Sequence, residues 1–417
     1  MNKALCRRVA ITGVGLVNPC GGETGDFFDR VMRGESAVRL YHHPASPDKL
    51  IQPAVRCASF NPEQAIGRAL TSVTDRYSQL GLAAAFSAWN DAGLAREGAG
   101  ADDYGVSWGT GVGGQLTYET GYTNFFEHGK RLMSPLTVAL AMNNAAASNI
   151  AIALGLGGAC LTYSVACASS AVAIGEAFRR IQSGEARLMV AGGSEAPLAL
   201  SIMLAWEAMR VVAKGDEETA AHACRPFQEG RTGLVLGEGG AAMVLEDWDH
   251  AVARGAHIYC ELAGYGQSCD HTHLVRPDAR GQVKAIEAAM REAGLTPADV
   301  GYVNAHGTAT REGDPIEIDA LRTVFGKSAA GLAVSSTKAA HGHMLGAAGA
   351  MEAALTVLAL ARQAIPPTAN LQQVSADCQG VRHVMGSGLC DVTFHAAISN
   401  SFAFGGSNAV LAFRQAR

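Results

Sequence analysis

Charged residues make up only 17% of the 417-residue chain and aromatic residues only 6%. With 48% of the sequence hydrophobic, so small a share of charge excludes a disordered or low-complexity protein, whose composition runs the other way. A basic excess is also missing: the formal net charge is −5. A nucleic-acid binder needs a basic face to meet the phosphate backbone, so nucleic acid is not an expected partner. An acidic protein partner stays open, because it needs only a local basic patch. The ten cysteines are scattered, with no CxxC pair and no zinc-like spacing, which reads as reduced thiols in a packed interior. Uninterrupted apolar runs are lacking as well. The Ala/Gly-rich region 136–168 is broken by Asn143, Asn144, Ser148 and Asn149, whereas a membrane span needs about 20 continuous apolar residues. The opening MNKALCRRVAITGVGLVNP sets basic residues before an apolar stretch, as a signal peptide does. Gly13 and Gly15 interrupt it and no clear small-x-small cleavage site follows, so a first buried strand is expected, in a cytoplasmic protein with no membrane contact.

What the chain has in quantity is glycine, 49 residues, together with alanine, a composition suited to helices packed closely on sheets. Strand-like and helical runs alternate throughout, which specifies an α/β fold. RRVAITGVGLV (7–17) and ARLMVAGGSEA (186–196) are strand-like. Between them lies a helix over 74–94, with Leu80, Ala84, Ala88 and Ala92 on one face and Gly93 as its stop. From HIYCELAGYGQS (257–268) the order repeats: a helix over 284–295, a strand and turn in DVGYVNAHGTAT (299–310), then strand, loop and small-residue helix over 332–361. A chain of this length exceeds what one core usually serves. The repeat points to two halves of one plan, residues 1–255 and 256–417.

Three positions carry chemistry. Cys167, in TYSVACASSAVAIGEA (162–177), leaves a strand and enters a helix. There the unpaired N–H groups of the first turn favour a thiolate and can receive an oxyanion. His306 ends a predicted strand in NAHGTAT, and His341 and His343 stand just ahead of the small-residue helix in TKAAHGHMLGAAGAMEA. The HxH pairs His341/His343 and His271/His273 also have the spacing of zinc ligands, but no acidic or cysteine ligand lies close in sequence to complete either set, so no metal is expected.

The segments VACASSAVAIGEA, VNAHGTATREGDPIE, STKAAHGHMLGAAGAMEA and NSFAFGGSNAVL together resemble the β-ketoacyl-acyl-carrier-protein synthases. These are decarboxylating condensing enzymes of the thiolase superfamily, and the likeness is nearest to the synthase II type and its polyketide relatives. It runs from RRVAITGVGLV to NAVLAF and includes RPFQEGRTGLVLGEGGAAMVLED (225–247). The resemblance implies a thiolase-like fold of duplicated halves in a layered α/β/α/β/α arrangement. It implies Cys167 as the acyl-accepting nucleophile, His306 and His343 as the catalytic histidines, and Lys338 and Glu352 as a partly buried ion pair holding His343. Backbone N–H groups of Cys167 and Phe404 would form the oxyanion hole, Thr308 and Thr310 would bind the pantetheine amides, and Phe404, flanking a glycine-rich turn with Phe402, would gate the acyl pocket from the malonyl side. Asn400 and Asn408 would brace that turn. No redox or metal cofactor is implied, since the substrates ride on the phosphopantetheine of acyl carrier protein. The implied partners are that carrier and a second copy of the chain, or a chain-length-factor homologue in a heterodimer.

The likeness loosens over 38–64, 196–212 and 268–278. In the second of these Trp206 replaces the glycine-rich character of many relatives, and with Ile202 and Val112 it is expected to line and reshape the acyl pocket. Other functions fit less well. A non-catalytic chain-length factor would lack the nucleophile, a non-decarboxylating thiolase would carry a late cysteine in a CxG setting, and a cysteine hydrolase would leave the GHMLGAAG helix unexplained.

Overall fold

The computed structural model describes residues 6–95 and 101–416. Their largest feature is an eleven-stranded sheet built from two runs with one pairing pattern. The first run, from the sheet centre outward, is Val9–Val17, Gly239–Asp247, Leu188–Glu195, Tyr104–Gly109 and Cys160–Tyr163. The second is Cys260–Cys269, Ser407–Gln415, Ala396–Phe402, Val300–Asn304 and Ala333–Ser335, with the short Arg382–His383 at the edge. In both runs the first two junctions are antiparallel and the next two parallel. The runs join where Val9–Ile11 pairs antiparallel with Cys260–Leu262. The opening RRVAITGVGLV is thus a central strand, buried along Val9–Val17.

The helices make the layers. Arg76–Asp91 lies on the outer face of the first run, where Leu80, Ala84 and Ala88 are fully buried. It sits so close that a Cβ at Gly13 or Gly15 would come within 2.2 Å of the Ala88 or Ala84 carbonyl oxygen. Ala279–Ala293 covers the second run in the same way: a Cβ at Gly264 or Gly266 would come within 2.3 or 1.9 Å of the Ala289 or Ala285 oxygen. Between the runs lie Ser169–Gln182 and Ala348–Arg362, touching each other. Five layers result, α/β/α/β/α, and their tight spacing is why glycine and alanine abound and aromatics are scarce. The segment Leu345–Arg362 is long and apolar enough to cross a membrane, yet 89% of it is buried within the protein, as the middle layer requires. A small second sheet of Arg39–His42, Ile51–Val55 and Leu236–Gly237 stands beside the core.

Candidate active site

The middle layer delivers the sulfur. After Cys160–Tyr163 the chain reverses through Ala166, whose φ of +48° is left-handed, and the helix Ser169–Gln182 follows. An alanine in that region is strained and is held there by its surroundings. Here the Ser169 hydroxyl donates to the Ala166 carbonyl (2.6 Å) and accepts from the Val165 N–H (2.8 Å). Cys167 is left one residue short of the helix cap, 6% exposed.

His306 follows the strand Val300–Asn304 in a turn where Gly307 and Ala309 have φ of +26° and +64°. The helix Gly313–Phe325 holds that turn with two buried carboxylates. Glu317 accepts the N–H groups of His306 (2.9 Å) and Gly307 (2.8 Å), and Asp314 accepts that of Thr308 (3.1 Å). His343 is fixed to the small sheet, its N–H donating to Val235 O (2.7 Å) and its carbonyl accepting from Gly237 N–H (3.0 Å). A third buried carboxylate, Glu195, accepts from Gly346 N–H (2.9 Å), Gly111 N–H (2.6 Å) and Val112 N–H (3.2 Å). The three carboxylates were not assigned roles from the sequence. A signal for two of them was present, since Asp314 and Glu317 stand three apart in GDPIE, one helical turn, and so face one way. Glu195 offered none.

Cys167, His306 and His343 meet. Their ligand atoms all lie within 4.8 Å of one another, and His343 Nε2 is 3.1 Å from Cys167 Sγ. The imidazole rings stand edge-on, centroids 5.5 Å apart at 84°. Burial, with the Lys338 charge as the next cause, holds both histidines well below the usual imidazole range, so both are neutral at pH 7. Burial pushes the Cys167 thiol up to about 12, against lowering by Lys338 and by the Phe404 backbone N–H. The resting sulfur is therefore protonated. Dehydration outweighs the helix terminus that the sequence reading relied on.

Lys338 and Glu352 form an ion pair that is fully buried, with side chains 1% and 0% exposed. It does not hold His343. The Lys338 ammonium donates to the His306 carbonyl (2.6 Å) and stands 3.4 Å from His306 Nδ1. The short helix Lys338–His341 carries the lysine back toward the neighbouring strand. His341 turns away from the sulfur, with Nε2 3.1 Å from the Thr337 hydroxyl, and burial lowers it to about 3. Since His341 and His343 face different partners, they are no chelating pair. His271 and His273 likewise face the Cys269 carbonyl and the N–H groups of Val275 and Arg276.

A cavity of about 1030 Å³ leads to the sulfur, and His306, His343, Thr308 and Thr310 line it. Phe402, Phe404 and Trp206 line it too, and Trp206 stacks on Phe404 with centroids 5.7 Å apart and planes 20° from parallel. Val112 and Ile202 lie outside its lining. Val112 belongs to the turn tied to Glu195. On Leu200–Ala208, Met203 is the residue turned fully inward, leaving Ile202 half-buried. Asn408 braces the glycine turn through Asp270 Oδ1 (2.7 Å) and Gly406 O (3.2 Å), whereas Asn400 donates to Glu317 (3.0 Å) and so supports the His306 turn.

Known proteins resemble this chain in sequence and fold. The family described as "Beta-ketoacyl synthase, N-terminal domain" matches residues 6–251, and "Beta-ketoacyl synthase, C-terminal domain" matches 259–372. The 3-oxoacyl-[acyl-carrier-protein] synthase 2 of Staphylococcus aureus (strain N315) is 37% identical over 412 residues, 98% of each chain. Among solved structures, the ishigamide ketosynthase/chain length factor superimposes with a TM-score of 0.92 at 28% identity, covering 99% of this chain and 100% of that one. A type II polyketide-synthase ketosynthase, solved in complex with its acyl-carrier protein and bound to the hexaketide, gives 0.90 at 29% identity over 99% and 100%. The chain belongs to the beta-ketoacyl synthase family.

Proposed function

We propose that the protein catalyses decarboxylative condensation of a Cys167-bound acyl group with malonyl-acyl carrier protein, giving a 3-oxoacyl-acyl carrier protein two carbons longer. One observation carries this: a thiol and two neutral imidazoles converge at the end of a cavity. The acyl thioester of the carrier is attacked by the Cys167 sulfur. The new C–S bond forms as the pantetheine C–S bond breaks, and the thiol proton ends on the departing pantetheine sulfur. His343 Nδ1 has no hydrogen-bond partner among the described residues. A buried orphan N–H is rarer than a buried orphan lone pair, which assigns the proton to Nε2 and makes His343 a donor to the sulfur. This donor and the Phe404 N–H stabilise the developing thiolate, which a thiol near 12 does not supply unaided.

In the second half-reaction malonyl thioester occupies the cavity. Lys338 faces His306 Nδ1, so the His306 proton also sits on Nε2. Two neutral N–H donors then meet the thioester carbonyl oxygen, where negative charge accumulates as CO₂ leaves. The carbanion attacks the acyl-cysteine carbonyl, its oxyanion held by the N–H groups of Cys167 and Phe404, and collapse frees the sulfur. This chemistry calls for no redox or metal cofactor. Among the exposed residues of the cavity lining, Arg210, Lys214, Arg276 and Arg311 outnumber Glu207 and Glu312, the other lining carboxylates Asp270, Asp314 and Glu317 being buried, which supports an acidic carrier docking there despite the net charge. The exposed apolar side chains Tyr122, Phe125, Phe126, Leu132, Leu136 and Val138 support a second copy of the chain as the subunit partner.

Intact-mass analysis with acyl- and malonyl-carrier protein tests the reading. The expected result is one acyl adduct, absent in Cys167→Ala, followed by CO₂ release and a product two carbons longer. Acylation elsewhere, or condensation without CO₂ release, overturns it.

A further inference from the structure

Behind the threonine turn lies a buried guanidinium that does not touch the cavity. The Arg231 side chain is 5% exposed. Its Nε donates to the Thr310 carbonyl (2.9 Å) and its Nη2 to the Arg311 carbonyl (3.2 Å). The same Nη2 also donates to Asp377 Oδ2 (3.1 Å), Nη1 to the Gln228 carbonyl (3.4 Å), and Nε stands 3.5 Å from Asp314 Oδ2. Asp314 in turn accepts the N–H groups of Thr308 (3.1 Å) and Phe227 (2.8 Å). Arg231 and Asp314 thus grip residues 308–311 from the carbonyl and the amide side and tie them to residues 227–231 and 377.

The turn needs that grip. Gly307 and Ala309 both have left-handed φ, and an alanine there is held only by its surroundings. Its carbonyls also point into protein, where an unmet acceptor is costly. The cavity side of the same turn presents the Thr308 and Thr310 hydroxyls, 3.1 Å apart. The planar fork satisfies two successive carbonyls in fixed geometry, which a lysine ammonium cannot reproduce.

We propose that Arg231 is a positioning residue for substrate binding: it sets the Thr308–Thr310 turn so that the hydroxyls meet the polar groups of the pantetheine arm. The proposal rests on the condensing reading above and adds a residue remote from the sulfur that governs recognition of the arm. Arg231 leaves the Cys167 chemistry alone, so it acts on KM for substrates bearing the arm.

The test compares acylation of Cys167 by an acyl-pantetheine thioester with acylation by the methyl thioester of the same acid, which lacks the arm. In Arg231→Met the KM for the pantetheine substrate rises ~10-fold with kcat little changed, the loss expected for misplaced hydrogen bonds to a ligand. The methyl thioester reacts within about twofold of the parent rate, because no arm is read. Arg231→Lys falls between the two. An equal loss with both thioesters, or no change with either, overturns the proposal. Asp377→Asn, at a carboxylate 51% exposed, gives the same split more weakly if Arg231→Met does not fold, and the absence of a split there overturns the proposal as well. A parent enzyme that neither thioester acylates refutes the condensing reading instead.

Discussion

Replacing Lys338 by Met separates stability from catalysis at one side chain. The ammonium lies in a fully buried pair with Glu352, and removing one partner of such a pair costs about 3–5 kcal/mol. The loss falls toward the lower end here. Burial already raises the Glu352 carboxyl to about 7 with the lysine beside it, so without the ammonium it takes up a proton instead of remaining a bare buried charge. The sign follows from that shift. A carboxyl whose folded pKa is raised contributes stability that is present below its unfolded value and is lost as pH rises through the folded one. Lys338→Met is therefore more destabilised at pH 8 than at pH 6. The double variant Lys338→Met/Glu352→Gln carries no buried charge at this site and recovers most of the loss in a denaturant titration. Catalysis does not recover with it. Both variants lack the group facing His306 Nδ1 and donating to its carbonyl, and misdirecting one of two oxyanion donors lowers malonyl decarboxylation ~10²-fold or more. Parental CO₂ release from the double variant would refute the assignment of Lys338 to His306, and parental stability in Lys338→Met would refute the buried pair.

Three further outcomes follow from the same chamber. Because the Cys167 thiol is pushed up to about 12, its alkylation by iodoacetamide rises about tenfold per pH unit from pH 7 to 9; a plateau above pH 7 contradicts the burial argument. His341 stays neutral down to about 3, so its contribution is present above the unfolded histidine value and lost as pH falls. Between pH 6.5 and 4.5 this amounts to about 2–3 kcal/mol, and His341→Thr flattens the stability profile by about that amount, since burial and Lys338, the larger causes that hold His343 down, remain in the variant and His341 is the least of the three. Equal slopes would refute it. Trp206→Ala removes the ring stacked on Phe404 and widens the cavity, extending the accepted acyl groups to longer chains in a mass-resolved loading assay, and an unchanged chain-length profile rules the tryptophan out as a determinant.

Legibility divided along sequence distance. The strands and helices that bring up Cys167, His306 and His343 could be read because each residue sits inside its own short pattern, with periodic apolar positions on both sides. Trp206 was legible as bulk where small residues are usual. Its companions Ile202 and Val112 were not separable from it, since which residue of a helix faces a cavity depends on rotation set by packing elsewhere. Lys338 was read as the support of His343, five residues on, but the pairing of Val300–Asn304 with Ala333–Ser335 sets its ammonium against His306, 32 residues back. Glu195 and Arg231 act on turns 84 and 79 residues away, and nothing local marks them. The thiol's ionisation differs from the sequence expectation for a related reason: a helix terminus is visible in sequence, whereas burial of the sulfur is a property of the whole fold.

The scarcity of aromatics and the chemistry have one origin. The helices Ser169–Gln182 and Ala348–Arg362 begin at equivalent places in the two halves and touch at their first turns. The Ala350 N–H donates to the Ser170 hydroxyl at 2.8 Å, and a Cβ on Gly349 would come within 2.8 Å of Ala171 Cβ. Cys167 stands two residues before the first helix and His343 five before the second, so the distance between sulfur and imidazole is set by how closely those turns approach. Real Cβ atoms do not pack at 2.8 Å, so any side chain larger than hydrogen at residue 349 would push the helices apart by about 1 Å, enough to break a 3.1 Å contact. The small residues that stack the layers thereby also bring nucleophile and imidazole together, and the site is a consequence of duplication, formed where the two copies of one helix start meet.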